Sequence, residues 1–172
     1  MNKLKNIFES LDIKPNSTIV FDIDDTLIAN NNKPISDTID FYNFLLNKNI
    51  KPVIVTARVN TPRNMEMTKR QLKSHGITKY KYLYLRPSKY NVWEYKTNAR
   101  KDITNRGYNI EMSIGDKPWD IGQYGGIGVL IEKYDIKHQE YFKKNFNNLH
   151  VLEGFGCNKK ANYLQVKIPG VY

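Results

Sequence analysis

A chain of 172 residues with 40% hydrophobic and 26% charged residues suits one ordinary globular domain, spanning 1–172. Its single cysteine, Cys157, excludes an internal disulfide, and the widely separated His75, His138 and His150 offer no zinc-site spacing. The net charge of +10 admits two readings, attraction to a polyanion or a composition rich in Lys, Asn, Ile and Tyr together.

The opening segment MNKLKNIFESLDIKPN lacks the apolar run of a leader and places Leu4, Ile7, Phe8 and Leu11 on one stripe of a short amphipathic helix. No stretch approaches the ~20 apolar residues of a membrane span, so the expectation is a cytoplasmic protein with no membrane partner. Thr18–Phe21 reads as a buried strand running into Asp22-Ile23-Asp24-Asp25. Ser36 is placed to cap a helix through about Asn47, with Ile39, Tyr42 and Leu46 facing the core. Pro52–Thr56 follows as a second strand, and Pro62 opens a helix that turns Met65, Thr68 and Leu72 inward and stops near Gly76.

Tyr82–Leu85 is a third strand, with Tyr80, Tyr82 and Tyr84 expected on one face. Val92, Tyr95, Ala99 and Ile103 form a helical stripe closed by Gly107. Asn109–Ile114, ending in Gly115-Asp116, is a fourth strand, and Ile127–Ile131 a fifth. Strands alternating with helices of this length imply right-handed crossovers and an α/β fold, a mostly parallel sheet of about five strands with helices on both faces. In such sheets the chemistry gathers at the carboxyl ends of the strands.

Those ends carry groups suited to phosphoryl transfer: Asp22 and Asp24, then Thr56 and Arg58, then Asp116 with Asp120 soon after, while Lys96 lies on the helix leading into the fourth strand. The reaction needs an in-line nucleophile, a proton shuttle and positive charge around the phosphoryl oxygens. Asp22 can attack phosphorus and Asp24 can protonate the leaving oxygen and then activate water. Clustered carboxylates call for a hard cation, and Mg²⁺ is the natural one. Each piece alone has a plainer reading: a turn for Asp25 and for Gly115-Asp116, a β-branched strand residue for Thr56, a surface charge for Lys96.

Taken in order, IVFDIDDTLI, PVIVTAR, Lys96 and GDKPWD resemble the four motifs of the haloacid dehalogenase (HAD) superfamily. The stretch from Thr56 to Asp120 is most similar to its acid phosphatase group, which includes plant vegetative storage proteins, and the KIPGVY tail adds to the likeness. The resemblance implies a three-layer αβα Rossmann-like fold, with Asp22 as nucleophile and Asp24 as acid/base and metal ligand through its main-chain carbonyl. Thr56 and Arg58 would bind the substrate phosphate, and Lys96 would neutralise charge, with Arg100 and Lys101 as rivals that the group's spacing disfavours. Asp116 would ligate Mg²⁺ with Asp22, and Asp120 would assist directly or through water.

Too few residues separate Thr26 from the second strand, or Thr56 from Lys96, for a large cap domain; Ile28–Ile35 can form only a flap. An open site favours bulky phosphorylated substrates or closure by a partner subunit in a dimer. Arg58, Arg86, Lys89 and Lys117 are candidates to surround its mouth with positive charge, for a small monoester or a polyanion. The basic and aromatic segment Lys79–Lys101 has a composition compatible with nucleic-acid binding, or with tyrosines packed under a helix. GQYGGIG after Asp120 is a loop rather than a dinucleotide motif, and no GxxxxGK[ST] supports an ATP-dependent kinase. The expected activity is hydrolysis of phosphate monoesters; phosphotransfer or phosphomutation on the same chemistry, or a non-catalytic storage or binding role, are the alternatives.

Overall fold

The computed structural model describes residues 3–121, 126–131, 140, 144–145, 149–153 and 162–167, the last two segments as backbone only. His138, Cys157, the 122–125 part of GQYGGIG and nearly all of the KIPGVY tail lie outside these residues. Helices α1 (Lys3–Glu9), α2 (Ser36–Asn47), α3 (Pro62–Ser74), α4 (Val92–Asn105) and α5 (Pro118–Ile121) accompany strands β1 (Ser17–Phe21), β2 (Val53–Val59), β3 (Leu83–Arg86), β4 (Asn109–Gly115), β5 (Gly128–Ile131), β6 (Leu149–Glu153) and β7 (Asn162–Lys167). None of the described helices is long and apolar enough to cross a membrane.

The strands form one sheet in the order β3-β2-β1-β4-β5-β7-β6. β3, β2, β1 and β4 are mutually parallel, as the alternating pattern requires, and the order reverses around β1, leaving a crevice at its carboxyl end. Beyond β4 the expectation of about five strands falls short. β5 runs antiparallel to β4, and β7 and β6 continue antiparallel to a total of seven strands among the described residues.

Helices cover both faces. One cluster packs Leu4, Ile7 and Phe8 of α1, Phe41, Tyr42 and Leu45 of α2 and Leu72 of α3 against Ile19, Phe21, Ile54, Met112 and Ile114 of the sheet. The other packs Tyr95, Ala99 and Ile103 of α4 against Val20, Val53, Val55 and Ile110. The alternation of β1 explains both clusters, since Ile19 and Phe21 point one way and Val20 the other.

Helix limits follow local chemistry where a cap is present. Thr61 accepts from the Asn64 amide, Pro62 takes the first helical position, and Gly76 at φ +78° ends α3. Asn91 accepts from the Glu94 amide to start α4, and Gly107 at φ +95° follows its end. Ser36 is not a cap. It is the exposed first residue of α2, the cap position belongs to buried Ile35, and no side chain caps the helix. The chain enters α2 through a hairpin in which the Ile35 amide donates to the Leu27 carbonyl, and this hairpin sets the helix start. Phe41 and Leu45 flank Tyr42 in the core, while Ile39, Leu46 and Met65 are half-buried. Tyr80 packs in the α1–α3 cluster and Tyr82 and Tyr84 in the α4 cluster, so the three tyrosines do not share a face.

Among the described residues no cap domain interrupts the fold. Between β1 and α2 lie a turn and the 28–35 flap, and between β2 and β4 only α3, β3 and α4. The flap tip is tied down: Asn32 Oδ1 accepts from Gln71 Nε2 at 2.9 Å and lies 3.2 Å from His75 Nε2, both from the α3 side.

Candidate active site

β1 delivers Asp22 to the crevice and continues its pairing for one more residue, the Asp22 amide donating to the Ile114 carbonyl at 3.0 Å. The chain then folds over buried Ile23, whose carbonyl accepts from the amides of Thr26, Leu27 and Ile28. Asp25 occupies the left-handed region at φ +56°, and its carboxylate accepts from the Asn30 amide at 3.2 Å. Asp25 is thus a turn former, which Asp tolerates at modest cost.

Lys96 is the centre of the site. Its ammonium, 2% exposed, donates to Asp22 Oδ1 at 3.0 Å and to the Val55 carbonyl at 2.6 Å, and pairs with Asp120 Oδ1 at 2.7 Å. Burial pulls its pKa down, but the charges of Asp120 and Asp22 pull harder, and the pKa stands above the usual lysine value. The rivals separate from it. Arg100, one turn on, is buried and donates to the carbonyls of Trp119 and Asp120, fastening α5 to α4. Lys101 is exposed.

Oxygens of Asp22, Asp116 and Asp120 lie within 4.8 Å of one another, the one such acidic group among the described residues. Burial, then repulsion from Asp120, raises the Asp22 carboxyl well above the ordinary range, with Lys96 only partly offsetting them. Burial and Asp120 push Asp116 up to about 6. Asp120 Oδ2 is buried without a hydrogen-bond partner among the described residues. One ammonium among three buried carboxylates leaves an excess of negative charge, and the orphaned oxygen marks where a cation would be received. The all-oxygen donor set fits Mg²⁺.

Two residues that sequence reasoning passed over shape this group. Thr26 Oγ1, fully buried, donates to Asp116 Oδ1 at 3.4 Å. Gly115 leaves room for Asp120: a Cβ there would lie 2.6 Å from Asp120 Cγ, far inside contact distance. A strand-terminal glycine looks like a turn residue, and nothing in its neighbours announces a side chain returning from five positions on. The spacing of Arg100, four residues from Lys96, puts both on one helix face, but nothing in it announces the α5 carbonyls that Arg100 clamps.

Asp24 stands apart from the acidic group. Its carboxylate, 59% exposed, is gripped by Arg58 through Nε to Oδ2 at 3.0 Å and Nη2 to Oδ1 at 2.8 Å. Arg58 is itself braced by Nη1 donating to Thr68 Oγ1 on α3. Thr56, expected to end the second strand, is fully buried inside β2, which runs on to Val59 with its β3 register shifting between Val55 and Val59. It accepts from the Arg58 amide at 3.3 Å. Among the other cations expected near the mouth, Arg86 donates to the Ala57 and Tyr90 carbonyls, and Lys89 lies over the Tyr90 ring. Lys117 Nζ is 3.9 Å from Asp116 Oδ2.

An αβα sheet whose carboxyl edge gathers aspartates around a buried lysine defines a protein of the HAD type. The chain belongs to subfamily IIIB (acid phosphatase) of the HAD superfamily, whose family model matches residues 29–144. It is 36% identical over 89 residues to vegetative storage protein 1 of Arabidopsis thaliana, covering 51% of this chain and 32% of that protein. It is 28% identical over 141 residues to the stem 28 kDa glycoprotein of Glycine max, covering 64% of this chain and 55% of the relative. The chain thus spans from about a third to about half the length of these curated relatives. The class C acid phosphatase from Bacillus anthracis shares the fold, with a TM-score of 0.53 at 13% identity over 81% of this chain and 66% of that one.

Proposed function

We propose that the protein is a Mg²⁺-dependent phosphatase that hydrolyses phosphate monoesters through an aspartyl-phosphate on Asp22. The observation that carries this reading is the placement of Asp22 at a switch point, held through one oxygen by buried Lys96 beside the Asp116–Asp120 pair. Asp22, Asp116 and Asp120, with the Asp24 main-chain carbonyl, would hold the cation, which when bound supplies positive charge to the phosphate oxygens and the carboxylates.

The Asp22 carboxylate attacks phosphorus as the ester P–O bond breaks, and Asp24, as general acid, passes a proton to the departing alkoxide. Asp24 then takes a proton from water, which attacks the phosphorus of the acyl phosphate and releases inorganic phosphate and the Asp22 carboxylate. Lys96 fixes the orientation of Asp22 and balances charge on the incoming phosphate, while Thr56 and Arg58 receive the phosphoryl oxygens. In the structure both oxygens of Asp24 are engaged by Arg58, so substrate phosphate must draw Arg58 away before Asp24 can meet a leaving group.

The names of the plant relatives favour a second reading, a storage protein without turnover. A role in storage alone makes no use of the Asp22–Lys96 contact at 3.0 Å or of the crowded aspartates. The deciding experiment measures phosphate release from aryl and alkyl monoesters with Mg²⁺ and after exhaustive chelation. Mg²⁺-restored turnover is expected. Asp24→Asn should then slow alkyl esters by about 10²–10⁴ and aryl esters less, because good leaving groups need no proton. Absence of turnover on every ester, with a folded protein and Mg²⁺ present, leaves the storage reading in its place.

A further inference from the structure

The amino edge of the sheet carries a feature the catalytic reading does not use. Two adjoining cavities of about 560 and 620 Å³ meet at Asn49 and Lys51 and form one groove under the starts of β1, β2 and β3. Lys14, Lys48, Lys51, Lys79 and Lys81 line it, and no acidic residue does among those described. All five side chains are exposed, and none pairs with a described carboxylate. Lys48 lies over Phe44 and Lys81 over Tyr108, whose hydroxyl it also meets at 3.1 Å.

The backbone bearing these lysines is fixed before any ligand arrives. The Lys51 carbonyl accepts from Thr18 Oγ1, the Lys79 carbonyl from Tyr42 Oη at 2.6 Å, and the Lys81 amide donates to the Pro52 carbonyl. Lys14 is held by its amide to Ser17 Oγ. Several unpaired ammonium groups converging on one groove raise its potential and concentrate anions there. The neutral lining decides which anion. Asn16, Asn43, Asn47 and Asn49 offer amides that both donate and accept, and Tyr108 adds an aromatic edge. Such amides can meet the donors and acceptors of bases and sugar hydroxyls, alongside cations for the phosphates.

We propose that this amino-edge groove binds single-stranded nucleic acid through its phosphate backbone. Of the basic and aromatic segment singled out in the sequence the site takes only Lys79 and Lys81, because Tyr82, Tyr84, Tyr90 and Tyr95 pack with the α4 cluster. It is also separate from the catalytic edge: the five residues of β1 hold the two apart by about 16 Å at about 3.3 Å per residue. Nucleic acid bound here is tethered to the protein rather than presented for cleavage, and the inference stands whether or not the phosphatase reading does.

The test is fluorescence anisotropy with a short labelled single-stranded oligonucleotide that lacks terminal phosphates, so that the catalytic edge has no monoester to hold. The expected result is binding that weakens with salt, and at least about tenfold weaker binding for Lys51→Glu/Lys79→Glu/Lys81→Glu. The salt slope should fall by about 2 in that variant, at about 0.7 per lost phosphate contact. Lys69→Glu/Lys73→Glu/Lys101→Glu makes the same change in net charge on α3 and α4 and should bind much more tightly than the groove variant. Thermal melts check folding, and the single changes Lys51→Ala and Lys79→Ala replace the triple variant if it does not fold. Equal losses in both triple variants, competition by polyglutamate as strong as by unlabelled oligonucleotide, or no binding at physiological salt would each overturn the proposal.

Discussion

The two edges of the sheet carry opposite charge at opposite depth. At the carboxyl edge Asp22, Asp116 and Asp120 are each at most 7% exposed and crowd around one buried ammonium. At the amino edge five lysines stand exposed around a groove with no acid among its described lining residues. Burying a charge costs several kcal/mol unless it is paired, while an exposed lysine costs almost nothing. The acidic edge therefore exists only because distant segments are brought together to hold it, and every atom there is consequential. The basic edge needs nothing beyond well-placed turns and tolerates change one residue at a time.

The sharpest way to break this contrast is Asp22→Asn. Turnover should fall by at least about 10³-fold, the loss expected when a nucleophile is removed. The melting temperature should hold or rise, because the change takes one negative charge out of a buried group with excess negative charge. A folded variant with near wild-type turnover would sink the assigned mechanism.

Gly115→Ala should come next in size. The new Cβ must push Asp120 aside, at a cost of about 1–3 kcal/mol typical of overpacking. Since Asp120 pairs with Lys96, the variant should also need more Mg²⁺ for half-maximal activity. Unchanged denaturation midpoint and Mg²⁺ requirement would show that the close fit of Asp120 over Gly115 does not matter.

Acidity should move the carboxyl edge in a defined direction. Asp116, raised to about 6, holds its proton in the folded metal-free chain at pH values where the unfolded chain has lost it. Stability of the metal-free protein from this group should thus fall as pH rises from about 4 to about 6. Mg²⁺ must displace that proton below pH about 6, so it should raise the melting temperature more at pH 8 than at pH 5. Equal Mg²⁺ shifts at both pH values would remove Asp116 from the metal site.

The smallest effect belongs to the amino edge. Lys51→Ala removes an exposed side chain and should change stability by no more than about 0.5 kcal/mol. Its kcat/KM for a small monoester should equal that of the parent chain. A loss of several-fold would mean the two edges communicate, and the contrast between them would have to be redrawn.

Much of this protein is written in short stretches of its sequence. Pro62 and Gly76, or Asn91 and Gly107, bound their helices because caps and left-handed stops are made by neighbouring residues. The parallel strands β1 to β4 were readable because apolar runs alternate with helical stripes. With them came Asp22, Thr56, Lys96, Asp116 and Asp120, each at or near the carboxyl edge. What tertiary structure alone decided depends on partners remote in the chain. The antiparallel course of β5 and the added β6 and β7 are set by which edge is available for pairing, and no local pattern encodes that. Ser36 lost the cap position to Ile35 because an upstream hairpin fixed where α2 begins. Lys96 was separated from Arg100 by what each side chain meets across the fold, Asp22 for one and the α5 carbonyls for the other. The lysine groove is likewise a product of register. Lys14, Lys48 and Lys51 are unremarkable in sequence, and they join Lys79 and Lys81 in one surface because β1, β2 and β3 start side by side.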